Sequence, residues 1–290
     1  MAMHVDQIWR YPVKSMVGGT VPAAVLDADG VVGDRTWAVR DQVRGGIRGA
    51  KVLGGLMRLS ARYADAAAAA DPAAGGGPVE ITLPDGTVVS TDDPDAAEAV
   101  SAAIGHEVTL EALRPAEDLE HFRRGAAYHD DFMEELRSIF GRTEDEPLPD
   151  LSQFPPEIIE FESPPGTYHD VHPLLIVTTS ALRSLWTALP DSAVDVRRFR
   201  PSLVVDTGDA EGHPEFSWVG RRLRVGAAEL SVVGPCPRCV MVTREIDEST
   251  PRDRTILRHV VRDLDQNVGV YATVSTPATI HEGDEVALLD

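Results

Sequence analysis

Short apolar runs of strand length dominate the chain, and the 3.6-residue spacing of an amphipathic helix is confined to a few segments. The opening residues mix Val5, Ile8, Trp9 and Tyr11 with polar positions, and β-like runs follow at 21–26 and 36–40. Residues 81–83 and 87–90 flank Pro84-Asp85-Gly86, a turn sequence that predicts a hairpin. An alanine-rich stretch over 95–104 predicts a helix, and the low-complexity residues 66–77 predict a surface loop without chemistry. From 117 to 165 acidic residues and prolines dominate, with one amphipathic pattern through Phe132, Leu136, Ile139 and Phe140. Order returns with the buried-strand run 173–177 and a helix that Ser180 is expected to cap, its face carrying Leu182, Leu185, Trp186 and Leu189. Runs at 203–206, 223–225, 228–233, 240–243, 269–274 and 285–288 predict further strands, and 255–264 a second helix. The pattern predicts a mostly β protein with a few packed helices, in three parts: a β-rich unit over 1–116, an acidic insertion or lid over 117–165, and a unit over 166–290.

Composition narrows the function. With 290 residues, 43% of them apolar, the chain can bury a substantial core. A formal charge of -20 argues against nucleic acid and anionic membranes as partners, because their phosphates would be repelled at long range. A small anionic ligand stays compatible if the basic residues converge on it, and an acidic surface suits a basic protein partner. No run approaches 18 apolar residues, and the first ten residues carry acid, His and Trp where a signal peptide needs a basic start, so a soluble cytoplasmic protein is expected.

The two cysteines sit together in Gly234-Pro235-Cys236-Pro237-Arg238-Cys239, on what reads as a proline-stiffened turn between two β-like runs. A thioredoxin-type dithiol wants its first cysteine at a helix start, and 240–243 does not read as that helix. Structural zinc needs two more ligands at usable spacing, and the nine histidines are scattered, with only His169 and His172 close together. Both thiols could be small core residues, a common fate of free cysteine. Cys239 differs because Arg238 beside it would help hold a thiolate, and a thiolate on a rigid loop is what a soft or high-valent metal requires.

In order along the chain, Tyr11-Pro12-Val13-Lys14-Ser15, Gly33-Asp34-Arg35-Thr36-Trp37, Pro173-Leu174-Leu175-Ile176, Phe199-Arg200-Pro201-Ser202, the Cys-x-Arg-Cys element and Gly283-Asp284-Glu285-Val286 together resemble the MOSC family, named for the C-terminal domain of molybdenum cofactor sulfurase. The closer likeness is to the branch that includes the mitochondrial amidoxime-reducing component. This resemblance implies an N-terminal MOSC-associated β-rich domain packed on a C-terminal MOSC β-barrel, with the molybdenum cofactor (Mo-molybdopterin) between them. It implies Cys239 as metal ligand, and Lys14, Ser15, Arg35, Arg200, Ser202 and Arg238 as the cradle of the pterin's phosphate or nucleotide tail. Ser202 stands where that branch usually has Asn, and Met16 where it often has Cys or another small residue. The implied activity is reduction of N-hydroxylated or N-oxide small molecules, with electrons from a separate donor protein. The alternative is a non-catalytic cofactor or sulfur carrier that uses Cys239 and a sulfur-donor partner. The segment Pro164-Pro165-Gly166-Thr167-Tyr168-His169-Asp170 is a candidate substrate mouth, with His169 and Asp170 as candidate acid-base groups beside Cys239.

Overall fold

The computed structural model describes residues 2–65, 77–153, 157 and 160–289. The loop expected over 66–77 therefore lies, but for Gly77, outside the described residues. Strand alternation is expressed as a closed barrel. Its strands run in the order Leu203–Asp206, Leu174–Thr178, Asn267–Thr276, Ala228–Pro237, Arg222–Val225, Glu285–Leu289 and Met3–Arg10, the last pairing back onto the first. Every pairing in this ring is antiparallel except Leu174–Thr178 with Leu203–Asp206. That parallel pair needs a long crossover, and the helix Thr179–Ala188 supplies it. Inside, Val5, Ile8, Leu174, Ile176, Leu203, Val205, Leu230 and Val270 are buried together, the inward half of each alternating strand.

The N-terminal segment belongs partly to this barrel. Met3–Arg10 closes it through both Leu203–Asp206 and Glu285–Leu289, and Ala23–Asp27 pairs with Ala278–His281. A second core gathers Val13, Val39, Leu56, Met57, Val79, Ile81 and Val100 beneath two small sheets, one made by Val108–Ala112, Trp37–Asp41 and Ile47–Arg48, the other by the 79–90 hairpin with Ser60–Tyr63. The hairpin forms as expected around Pro84-Asp85-Gly86, with Gly86 at φ 87 where only glycine is unstrained.

Three local expectations are corrected. Residues 240–243 form a 3-10 turn and not a strand, and Cys239 is its N-cap residue. Cys236 is the ninth residue of the strand Ala228–Pro237, so the two thiols lie on different elements. The helix after the central strand is capped by Thr178, whose hydroxyl accepts from the Ala181 amide at 3.1 Å; Ser180 is already inside it, and Trp186 is 49% exposed. The amphipathic stretch of the insertion is the helix Phe132–Phe140, capped by Asp131 through the Glu134 amide at 2.8 Å.

Candidate functional site

Separate stretches converge on one cleft between the barrel and the N-terminal core: Lys14 and Ser15; Arg35; residues 169–173 with Leu175; residues 198–200; residues 236–239 with Met241; and Tyr271. All the residues read from sequence as cofactor or catalytic groups line it except Ser202. That side chain faces the barrel wall, where its hydroxyl accepts from the Leu175 amide at 3.3 Å. Ser202 therefore supports the strand pairing and does not reach the cleft.

The backbone around the cleft is unusual. Among the described residues, five that are not glycine have positive φ: Ser15 at 68, Arg35 at 52, Arg200 at 55, Asp265 at 45 and Gln266 at 71. The first three line the cleft. Gln266 braces the cysteine turn, its carbonyl accepting from the Arg238 amide at 2.8 Å. A left-handed backbone costs a residue with a β-carbon about 1–2 kcal/mol, and such costs are kept where side chains must be aimed. Ser15 is held by its own hydroxyl, which accepts from the Ala50 amide at 2.9 Å.

The charged groups divide into those already engaged and those left open. Lys14 is buried, and its ammonium donates to the Tyr168 carbonyl at 2.8 Å, to Ser163 Oγ at 3.2 Å and to Asp170 Oδ1 at 2.7 Å. Asp170 is bridged on its other oxygen by Lys51 Nζ at 3.1 Å. Burial alone would raise the Asp170 carboxyl, but Lys14 and then Lys51 outweigh it and hold it well below the usual carboxylate range. His169 is buried, its Nε2 donates to the Asp29 carbonyl at 3.0 Å, and burial, then Arg35 and Lys14, pull it down to about 3. Across neutral pH Asp170 is a fixed anion and His169 a neutral ring.

Arg35 pairs with Asp34, and its guanidinium lies 5.3 Å from the Tyr11 ring centroid. Arg200 also lies over the Tyr11 ring, 4.3 Å from its centroid, and donates from Nη1 to the Met16 carbonyl. Burial, then Arg35, pulls Arg200 down to about 10. Arg238 donates from Nη1 to Cys236 Sγ at 2.9 Å and from Nη2 to the Phe199 carbonyl at 2.7 Å. Two guanidinium nitrogens, Arg200 Nη2 and Arg238 Nε, remain buried without a hydrogen-bond partner. An unsatisfied buried donor is costly, and both belong to side chains that line the cleft.

Cys236 is buried with its thiol pushed up by desolvation, against the pull of Arg238. Cys239 is half-buried at the cleft wall. Lys51, Arg142, Arg238 and Arg244 all lie within electrostatic reach of this sulfur. The turn is tied from both sides. Arg142 of the insertion donates to the Arg238 carbonyl at 3.1 Å, and Arg244 donates to the carbonyls of Ala50 at 3.2 Å and Lys51 at 2.8 Å. Sequence reading passed over Lys51, Arg142 and Arg244 because they lie outside the family-like motifs and acquire their role only through long-range packing.

Among the described residues, no group of three or more His, Cys, Asp or Glu could hold a metal by protein ligands alone. A metal here would therefore depend on a carrier ligand beside Cys239. The donor set fits an anionic carrier: one thiolate-capable side chain, two orphaned arginine donors and a cation-rich wall in a chain of net charge -20. No helix of the described residues is long and apolar enough to cross a membrane.

Comparison with known proteins agrees with this layout. Residues 164–287 match the family model of the MOSC domain, and residues 2–114 that of the MOSC N-terminal beta barrel domain. The chain is similar to human mitochondrial amidoxime reducing component 2, 31% identical over 159 residues, 50% of this chain and 43% of that protein. It is similar to the molybdenum cofactor sulfurase of Drosophila erecta, 32% identical over 108 residues, 36% of this chain and 13% of that protein. The matched region thus spans less than half the length of either relative. Among solved structures, the YuaD protein of Bacillus subtilis aligns over 99% of this chain and 96% of its own at 12% identity and a TM-score of 0.44.

Proposed function

Because the chain belongs to the MOSC family, carrying its N-terminal and its MOSC domain in that order, we propose that it binds the molybdenum cofactor and reduces N-hydroxylated or N-oxide small molecules. The observation that carries this reading is the pair of orphaned arginine donors in the same cleft as Cys239. Cys239 would hold the metal through its thiolate. Arg200, Arg238, Arg35 and Ser15 would hold the pterin's anionic tail, with Lys14 acting through the Asp170 bridge. When bound, the molybdenum centre supplies two-electron removal of oxygen from nitrogen. The net reaction turns an amidoxime, two electrons and two protons into an amidine and water, and the electrons come from a separate donor protein.

The chain's own residues do the rest. Lys51, Arg142 and Arg244 lie within electrostatic reach of the Cys239 sulfur, and the two braced segments around its turn hold that sulfur in place. Asp170, ionised throughout the working range, accepts hydrogen bonds but delivers no proton. His169 offers Nδ1 as an acceptor, since Nε2 is engaged. His169→Ala with unchanged kinetics would remove it from the mechanism.

The test is molybdenum and pterin content of protein made in a cofactor-competent host, followed by benzamidoxime reduction with an artificial reductant. Near-stoichiometric molybdenum that falls at least tenfold in Cys239→Ser is expected; full loading and turnover in that variant would sink the assignment. The partial exposure of Cys239 favours a second reading, a cofactor or sulfur carrier, since a transferable group must be reached by a partner. Transfer of cofactor to an apo-enzyme, or a persulfide mass on Cys239, without any turnover would support the carrier instead.

A further inference from the structure

A second cavity, of about 710 Å³, adjoins the cleft and shares with it only the lining residues Arg35 and His169. That volume suits a small organic molecule. Val31, Val32, Trp37 and Leu113 form apolar wall. The hydroxyl donors of its lining are engaged: Thr167 donates to the Pro164 carbonyl at 3.0 Å, Tyr168 to the Ala112 carbonyl at 3.0 Å, and Thr36 shares a 2.6 Å bond with Tyr63. Asp34 is taken by Arg35 and by the Tyr11 amide at 2.6 Å. What stays open is mainly acidic. Asp27 is half-buried, and its carboxylate has one neutral partner, the Asp29 amide at 2.9 Å. Among the described residues, the exposed Asp29 and Asp92 carboxylates have no hydrogen-bond or ion-pair partner, and neither has the exposed Arg114 guanidinium. Three carboxylates thus share this cavity with one open guanidinium, the reverse of the cation-lined cleft beside it.

We propose that this cavity binds a small organic cation with an apolar body: the charged N–H groups donate to Asp27 and to the rim carboxylates of Asp29 and Asp92, and the body lies against Val31, Val32, Trp37 and Leu113. Hydrogen bonds between a cationic donor and a carboxylate are of the stronger class, and they give such a ligand its orientation. A cation also supplies what Asp27 lacks. Burial raises its carboxyl, the charge of Asp29 adds to the rise, and no protein cation offsets them. An anion would meet three carboxylates against one guanidinium, and a neutral molecule would leave those carboxylates without a counter-charge. The two adjoining chambers therefore sort small molecules by sign: the cleft, lined by Lys14, Arg35, Arg200 and Arg238, repels a cation that the second cavity favours. In the reading above, the amidine formed from an amidoxime is such a cation at neutral pH, and only that identification of the natural ligand rests on the reading.

Benzamidine tests the site, because it is a cation across neutral pH and benzamide is a neutral molecule of nearly the same shape. Calorimetric titration of the full chain at low salt should give a dissociation constant below about 1 mM for benzamidine, with benzamide about tenfold weaker or more. Asp27→Asn keeps the oxygen that accepts from the Asp29 amide and removes the charge, so it should weaken benzamidine about threefold, and Asp27→Asn combined with Asp92→Asn about tenfold. Arg114→Gln removes the opposing charge and should tighten binding about twofold. Cys239→Ser should leave it within about twofold, as a site outside the cleft requires. Absence of binding at millimolar benzamidine, equal affinity for benzamide, unchanged binding in the double variant or a loss in Cys239→Ser overturns the proposal. So does weaker binding in Arg114→Gln, a change at an exposed position that leaves the fold intact. Molybdenum content is read separately: a chain that loads metal and does not bind benzamidine loses only this inference, whereas one that binds benzamidine and never takes up molybdenum loses only the cofactor reading.

Discussion

At the scale of single residues, the cleft trades backbone comfort for side-chain aim. Arg200 at φ 55 illustrates it: the turn throws its guanidinium over Tyr11 and leaves one buried nitrogen without a hydrogen-bond partner. Arg200→Gly and Arg200→Ala both remove the guanidinium, but only alanine keeps a β-carbon in the left-handed region. In denaturant titrations of the cofactor-free chain, the glycine variant should therefore be more stable than the alanine variant by about 1 kcal/mol; equal stabilities would show that the turn relaxes. Asp170 sets a second expectation. Its folded carboxyl titrates below its unfolded value, so the Lys14 and Lys51 bridges stabilise the protein above about pH 4 and that contribution fades as pH falls through the folded value. Asp170→Asn should lower the midpoint of thermal unfolding at pH 7 and make it less sensitive to acid below pH 4. An unchanged acid limb would mean that the bridges add nothing.

At the scale of elements, the acidic segment 117–165, expected as an insertion, is docked through polar hubs and very close backbone contact. Asp41 is buried at 1% exposure and accepts from His106 Nε2 at 2.8 Å, the Tyr128 hydroxyl at 2.8 Å, and the amides of Val43 at 2.8 Å and Arg44 at 3.0 Å. Burial alone would raise its carboxyl, yet these donors together bring it down to about 2. The hub therefore stabilises the fold by about 2 kcal/mol above pH 4, lost progressively as pH falls from there towards 2. Because Tyr128 belongs to the insertion, Tyr128→Phe should loosen that segment by about 1 kcal/mol, read as faster local hydrogen exchange. Gly125 is a sharper probe: a β-carbon there would lie 1.8 Å from the Gly45 carbonyl oxygen, a backbone atom that cannot simply rotate away. Gly125→Ala should undock the insertion, exposing residues 123–140 to protease while the barrel persists. If the cleavage pattern is unchanged, the insertion is held elsewhere, through contacts such as Arg142 to the Arg238 carbonyl.

At the scale of the whole molecule, the chain's first strand closes the barrel that its last strands build. Met3–Arg10 pairs with Leu203–Asp206 on one side and Glu285–Leu289 on the other. Removing residues 1–10 would open two strand edges and expose Val5 and Ile8 contacts in the main core. Such a chain should fail to give a cooperative thermal transition and should aggregate; a soluble, cooperatively folding truncation would show that closure is dispensable. The charge distribution also works at this scale. A strongly acidic exterior surrounds a cleft whose wall is cationic, so a small anion gains from the site only at short range, once it is inside the repulsive outer field.

Alternation of apolar residues every second position determined the β character, and turn residues such as Pro84-Asp85-Gly86 determined where a hairpin forms, because these depend on neighbours in the chain. The ordered motifs that resemble the family, and not residue type alone, implied that Lys14, Ser15, Arg35, Arg200, Arg238 and Cys239 share one site, and the fold gathers them into one cleft. Local pattern misled where length was short: Val240, Met241 and Val242 read as a strand, but a segment of four residues gains its conformation from what it packs on, here Gly141 and Leu257 of other elements. Which donors are engaged and which are open was decided only by tertiary structure. Lys14 is consumed by Asp170, Ser202 faces the barrel wall, and Lys51, Arg142 and Arg244 arrive at Cys239 from distant stretches. The physical reason is that hydrogen-bond satisfaction and electrostatic field depend on distances across the folded chain, which no local pattern of residue types encodes.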